Sequence, residues 1–224
     1  SSYDSMNQLK RFYPDTKASI VVLQFVSVID MSKITSLDKL HLKYKFTEPY
    51  FIVSNQFWQH KNHLVILESL KILKVRGRKV TVIFTGKESD HRNPGYFGSL
   101  KEFVEKNGLE DMTQFLGFIS RDDQLGLMQN SLAVIQPSKF EGWGTVVEDA
   151  KTLVRPVILS DIPVHREQMD DRGYFFSPDS ADELAKLIEE FLNNEFIPLL
   201  PEENHKKRLG QFAEDFLNIF NFSQ

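Results

Sequence analysis

From Pro49 onward the sequence alternates short apolar runs with stretches of helical periodicity, and few folds accept that order. PYFIVSN (Pro49–Asn55), VTVIFTG (Val80–Gly86), MTQFLGF (Met112–Phe118), SLAVIQP (Ser131–Pro137) and PVILSD (Pro156–Asp161) read as strands, with a brief one over Gly173–Phe176. Between the first two, His63–Val75 places Leu64, Leu67, Leu70, Ile72 and Leu73 at helical spacing and stops at Gly77. Leu100–Lys106, Asp122–Gln129, Thr145–Leu153 and Ala181–Leu192 read as further helices. Ser120 and Asp123 form a relaxed capping box at the start of the second of these. Near-continuous apolar strands alternating with helices predict a parallel α/β sheet covered on both faces, the doubly wound Rossmann-like arrangement. Such sheets bind ligands beyond the carboxyl ends of their strands, so the order of elements already says where a site belongs.

The ends do not join this alternation. Residues 1–12 read as a helix, Ile20–Ile29 as a separate strand, and the polar stretch Asp30–Glu48 as a connection. EFIPLLPEEN interrupts the pattern after Leu192, and His205–Phe220 reads as a last amphipathic helix. The mixed charges, net -4, contain no basic block, which argues against nucleic acid. With no cysteine, neither a disulfide framework nor a thiolate metal site is available, as suits a reducing compartment. No apolar run is long enough to span a bilayer, and SSYDSMNQLKRF lacks the core of a signal peptide. The expected location is cytoplasmic, with peripheral attachment at the inner face of a membrane left open. The abrupt start without methionine suggests a piece of a longer protein.

One stretch, FEGWGTVVEDA (Phe140–Ala150), sits at a strand-to-helix turn. Gly142 and Gly144 there would let backbone N–H groups approach an anion, the helix start adds partial positive charge, and Thr145 adds a hydroxyl. The pattern is neither GxGxxG nor a Walker loop. Glu141 and Glu148 can face one cleft and accept hydrogen bonds from sugar hydroxyls. Equally, Glu148 can be a first-turn helix acid and Glu141 a solvated loop residue. The residues alone leave these alternatives open.

The same stretch resembles the E-x7-E motif of family 4 glycosyltransferases of the GT-B fold. FIVSNQFWQHKNHLVILESL, PVILSDIPVHREQ and GYFFSPDSADELAKLI resemble successive segments of that family, so the likeness runs in order from Pro49 to Leu192. It implies that residues 49–192 are the nucleotide-sugar-binding half of such an enzyme. Residues 1–48 would then be the tail of an acceptor-binding N-terminal domain plus a linker, and residues 193–224 a helix crossing back to it. By the resemblance, Glu141 meets the transferred sugar or its reaction centre and Glu148 holds the ribose hydroxyls. The amides of Gly142, Trp143, Gly144 and Thr145 line the sugar and diphosphate, and Lys61 neutralises the diphosphate. The base rests near Gly117, Phe118 and Ile119, and Gly86 permits close approach of the donor. Many relatives carry an arginine where this chain has the neutral Asn55 and Gln56, which are kept as donor-binding candidates.

The implied reaction is hexosyl transfer from a nucleotide-diphosphate-sugar, retaining and metal-independent, to a glycan or lipid-linked acceptor held by the N-terminal domain. The donor is the substrate, and no cofactor is implied. His60 and His63 flank Lys61, but no third ligand is spaced to complete a metal site. Asp161 and His165 read as loop scaffolding, and Arg155 as a structural turn residue. A sugar-nucleotide epimerase and a non-catalytic nucleotide-sugar-binding module are the rival classes. The chain alone is expected to bind donor and transfer nothing.

Overall fold

The computed structural model describes residues 2–198 and 205–221. Six strands form one parallel sheet: β1 (Tyr50–Ser54), β2 (Thr81–Thr85), β3 (Thr113–Phe115), β4 (Val134–Gln136), β5 (Val157–Ser160) and β6 (Tyr174–Phe176), in the order β3-β2-β1-β4-β5-β6. The chain leaves β1 toward one edge and returns to its other side at β4. Their neighbouring ends therefore splay apart into the crevice where such sheets bind ligands.

Alternation along β1 shows how the sheet is covered. Phe51 and Val53 point into one apolar layer with Leu67 and Leu70 of α3 (His63–Val75) and Leu184 and Ile188 of α8 (Ala181–Leu192). Tyr50 and Ile52 point into the other, with Leu40 of α2 (Leu37–Tyr44), Leu125 of α5 (Arg121–Asn130) and Val147 of α6 (Thr145–Thr152). All five residues of β1 are buried, as expected for a central strand with helices on both sides. The capping predicted at Ser120 is present, its hydroxyl accepting from the Asp123 amide. Helix α4 (Tyr96–Asn107) starts four residues before the expected Leu100. Buried Tyr96 anchors that extra turn, its hydroxyl accepting from the His63 amide.

Three expectations need correction. Ile20–Ile29 is not a strand: it lies extended across α6 and is held by side chains instead. The Phe25 carbonyl accepts from Trp143 Nε1, Ser27 Oγ donates to Asp149, and the Ser27 carbonyl accepts from Thr152 Oγ1. Asp30–Glu48 is not a mere connection, since it contains α2, docked on α5 where Asp123 accepts from Thr35, Lys43 and Tyr44. The stretch after β5 is not a loop but α7 (Pro163–Met169), begun by Pro163 in the first turn, where its missing N–H costs nothing. Glu167 of α7 accepts from the amides of Tyr3 and Asp4 at the start of α1 (Tyr3–Phe12), tying that helix down. The final helix, α9, spans His205–Asn221, and part of the preceding interruption lies outside the described residues. No helix among the described residues is long and apolar enough to cross a membrane.

Candidate functional site

A cleft of 350 Å³ opens at the carboxyl ends of the strands, between the loops that follow β1 and β4. The first loop leaves β1 through Asn55 and Gln56, both on the cleft wall, and passes Trp58 into a tight turn over Gln59–Lys61. Asn62 then adopts a left-handed conformation, φ 57°, and its side-chain amide donates to the carbonyls of Pro137 and Pro178. That bend makes Lys61 the last residue of the turn rather than the first of α3. Its ammonium points into the cleft instead of out along a helix surface.

There the Lys61 Nζ meets Glu141 Oε1 at 2.6 Å, and the two side chains are only 13% and 10% exposed. Glu141 Oε1 also accepts from Gln136 Nε2 at 2.7 Å, and Gln136 Oε1 accepts from Asn55 Nδ2 at 2.9 Å. A chain of neutral amides and one cation thus fixes the carboxylate. Its other oxygen makes no hydrogen bond to a described residue. Ser54, Thr85 and Gln124 form a second polar line, Gln124 Nε2 donating to Ser54 Oγ, which lies 2.8 Å from Thr85 Oγ1.

Of the residues singled out by sequence, the cleft brings together Asn55, Gln56, Lys61 and Gly86 with Phe118, Ile119 and Glu141. Trp143, Gly144 and Thr145 close its far side. Phe118 is 80% exposed and presents its ring on the rim, so it is not a core aromatic. Gly86 has φ 145°, and a Cβ there would meet the Asn55 carbonyl oxygen at 2.0 Å. Its smallness therefore serves the close packing of the loops after β1 and β2, a reason that precedes any ligand.

Three expected residues do not join the cleft wall. Gly117 and Gly142 do not line it, and Glu148, 1% exposed, turns away toward α7 and α9. Glu148 Oε1 takes Gln168 Nε2 at 3.1 Å and Lys151 Nζ at 3.4 Å, while Oε2 takes Arg208 Nη2 at 3.0 Å. Helix phase is the reason, because adjacent residues of an α-helix point about 100° apart. Glu148 is the seventh residue after Glu141, whereas the E-x7-E spacing reaches the eighth, Asp149. Asp149 points the other way and receives both Nη atoms of Arg121, two residues beyond Ile119. A second correction concerns the amides, since the Gly144 N–H is already taken by Gln168 Oε1 at 3.0 Å. The amides of Thr145 and Val146, both on the cleft wall, have no partner among the described residues.

Sequence reading missed Ser54, Trp58, Thr85, Gln124, Gln136 and Val146. Gln136 had a signal, a single amide within the apolar run SLAVIQP. The others follow only from which strand ends become neighbours. Burial lowers the His60 pKa and the neighbouring Lys61 lowers it further, and burial likewise depresses His165, whose Nδ1 is 2.8 Å from the Ser160 carbonyl. No group of three or more His, Asp or Glu able to hold a metal occurs among the described residues.

The family model described as "Glycosyl transferases group 1" matches residues 38–216. An O-antigen chain mannosyltransferase of Salmonella typhimurium is 27% identical over 76% of this chain and 48% of its own length. A serotype-specific mannosyltransferase of Escherichia coli is 28% identical over 64% of this chain and 17% of its own. The chain thus spans about half, or less, of the length of these relatives. Among solved structures, a sucrose-phosphate synthase of Thermosynechococcus elongatus superposes with TM-score 0.73 at 18% identity, covering 100% of this chain and 58% of that one. An Anabaena protein, HepE in complex with UDP, gives TM-score 0.68 at 20% identity over 85% of this chain and 53% of its own.

Proposed function

Because the chain belongs to the group 1 glycosyl transferases, we propose that its cleft binds a nucleotide-diphosphate-sugar and that the whole enzyme transfers the hexosyl group to a glycan or lipid-linked acceptor. The observation that carries this reading is the meeting of Lys61, Glu141 and the unpaired amides of Thr145 and Val146 in one cleft between β1 and β4. The diphosphate sits against Lys61 and those amides. Negative charge develops on it as the glycosidic bond breaks, and a fixed cation with aligned N–H groups stabilises that charge without a metal. Glu141 faces the transferred sugar. Asp149, clamped by Arg121, is the carboxylate on the ribose side, and the base rests on Phe118 and Ile119.

The relatives' names favour mannosyl among hexoses and polysaccharide assembly as the setting. Transfer with retention of configuration belongs to the same reading. On it α1 is the tail of an acceptor domain and α9 the helix that crosses back to it, so the chain alone binds donor without turning it over. Calorimetric titration with a panel including GDP-mannose and UDP-glucose tests the reading. Binding of at least one, lost in Lys61→Ala, is expected. If no member of the panel binds, the donor cleft is misassigned. Transfer by this chain alone would overturn the division of labour.

A further inference from the structure

Gln168, on α7, is 2% exposed and spends its side-chain amide on one backbone unit of the cleft. Its Oε1 accepts from the Gly144 N–H at 3.0 Å and its Nε2 donates to the Gly144 carbonyl at 3.1 Å. Gly144 is the residue on which α6 starts, and its side chain cannot cap the helix. A Cβ on Gly144 would stand 3.1 Å from Gln168 Oε1 and 3.1 Å from Val147 Cγ2, so the amide is seated against the bare backbone. A buried primary amide bonded to both backbone groups of Gly144 fixes the orientation of the two peptide groups that meet there. Thr145 and Val146, the next two residues, line the cleft, and their N–H groups, without a partner among the described residues, follow from that orientation.

The grip continues away from the cleft. Gln168 Nε2 also donates to Glu148 Oε1, which Lys151 supports, and Arg208 of α9 holds Glu148 Oε2. Glu148 and Lys151 are nearly fully buried, and a carboxylate so placed takes a firm position only where its partners are. Arg208, Glu148, Gln168 and Gly144 therefore form one contiguous line from the C-terminal helix to the turn.

We propose that Gln168 is a positioning residue that aims the Thr145 and Val146 amides at the donor diphosphate, and that Glu148 and Arg208 couple this aim to α9. The inference rests on the donor-cleft reading above. The side chains of Gln168, Glu148 and Arg208 do not line the cleft, so the effect expected falls on the diphosphate rather than on the nucleoside.

The test is calorimetric titration of the chain with UDP, GDP, uridine and guanosine, for wild type, Gln168→Met, Arg208→Met, the double variant and Lys61→Met, each first checked by thermal melting. Gln168→Met keeps the packing volume and removes the grip. It should weaken the nucleoside diphosphate that binds by about tenfold, the worth of one charge-assisted hydrogen bond, and leave the matching nucleoside unchanged. Arg208→Met should weaken the diphosphate less, and add nothing in the Gln168→Met background. Equal loss for diphosphate and nucleoside would make Gln168 merely structural and overturn the proposal. Additive effects would overturn the coupling to α9. If Lys61→Met weakens the diphosphate while Gln168→Met does not, this inference alone fails. If neither variant changes binding, or neither UDP nor GDP binds wild type, the donor-cleft reading fails with it.

Discussion

The Lys61–Glu141 pair makes a prediction about sign, which is harder to satisfy by accident than one about loss. Lys61 Nζ is 2.6 Å from Glu141 Oε1, and both side chains open on the same cleft. A diphosphate oxygen arriving on the other side of that ammonium would lie roughly 5 Å from the carboxylate. Two unit charges of like sign at that distance repel by about 3 kcal/mol at an effective dielectric near 20. The cleft is open to water, which we take to halve that figure, so Glu141→Gln should tighten a nucleoside diphosphate by about 1–2 kcal/mol, roughly 5–30-fold in Kd. Lys61→Met should do the opposite. Losing one hydrogen bond between charged groups costs about 1.5–3 kcal/mol, roughly 10–150-fold. The double variant should bind better than Lys61→Met alone, because the carboxylate it removes no longer has a cation to offset it. Isothermal titration with UDP and GDP measures all four states. If Glu141→Gln weakens the diphosphate as much as Lys61→Met does, Glu141 is a scaffold or a ligand of the nucleotide, and the electrostatic reasoning is wrong.

Three further outcomes follow from the same geometry. Phe118→Ala should leave the melting temperature unchanged, since the ring is exposed, yet weaken nucleotide by about 1–3 kcal/mol if a base stacks there; equal affinity in a titration would remove the base from that rim. Gly86→Ala forces a Cβ against the Asn55 carbonyl at φ 145° and should destabilise by at least about 2 kcal/mol in urea unfolding, with a near-neutral result refuting the packing reason for this glycine. His63 is buried among Phe57, Phe84 and Tyr96, and burial pushes its pKa down to about 3. Below about pH 6.5 the unfolded chain takes a proton that the folded one refuses, so stability is unaffected above that pH and falls by about 1.4 kcal/mol per unit beneath it. His63→Leu should remove about 2 kcal/mol of the loss between pH 7 and pH 5, measured as urea midpoints at the two pH values; an unchanged slope would show that His63 is not the group responsible.

Elements whose character is local were legible in the sequence. The central strands announced themselves as apolar runs because they are buried on both faces, and α3 and α8 because their leucines repeat at helical spacing. Helix α2 was not legible. LDKLHLKY buries only Leu40, and the helix is held by Lys43 and Tyr44 on an aspartate 80 residues away. Helix α7, seven residues long, is too short to show a period. Ile20–Ile29 misled for the converse reason. Its composition suits a strand, but its backbone meets the side chains of Trp143 and Thr152 rather than a sheet edge. The site divides in the same way. Turn chemistry made Glu141, Gly144 and Thr145 candidates, and the family resemblance pointed to Asn55 and Lys61. The choice between Glu148 and Asp149 depends on helix phase and on what α7 and α9 offer each acid, and neither is written locally.

The neutral Asn55 and Gln56 at the end of β1 leave the cleft with a balanced charge. Among the described residues that line it, Lys61 is the single cation and Glu141 the single acid, and they offset each other. An arriving diphosphate therefore meets little net field, and the attraction falls to N–H dipoles at the start of α6, whose worth depends on direction far more than a point charge does. That places a premium on whatever fixes the direction, which is the grip of Gln168 on Gly144. It also links two events that a second cation would keep apart. On the donor-cleft reading the Lys61 ammonium comes to stand between Glu141 and the diphosphate, so its hold on the carboxylate is shared and weakened while Gln136 still donates. Arrival of the diphosphate then frees Glu141 oxygen lone pairs for the sugar at the moment the sugar is present. On that reading one lysine is both the diphosphate's cation and the switch on the neighbouring acid.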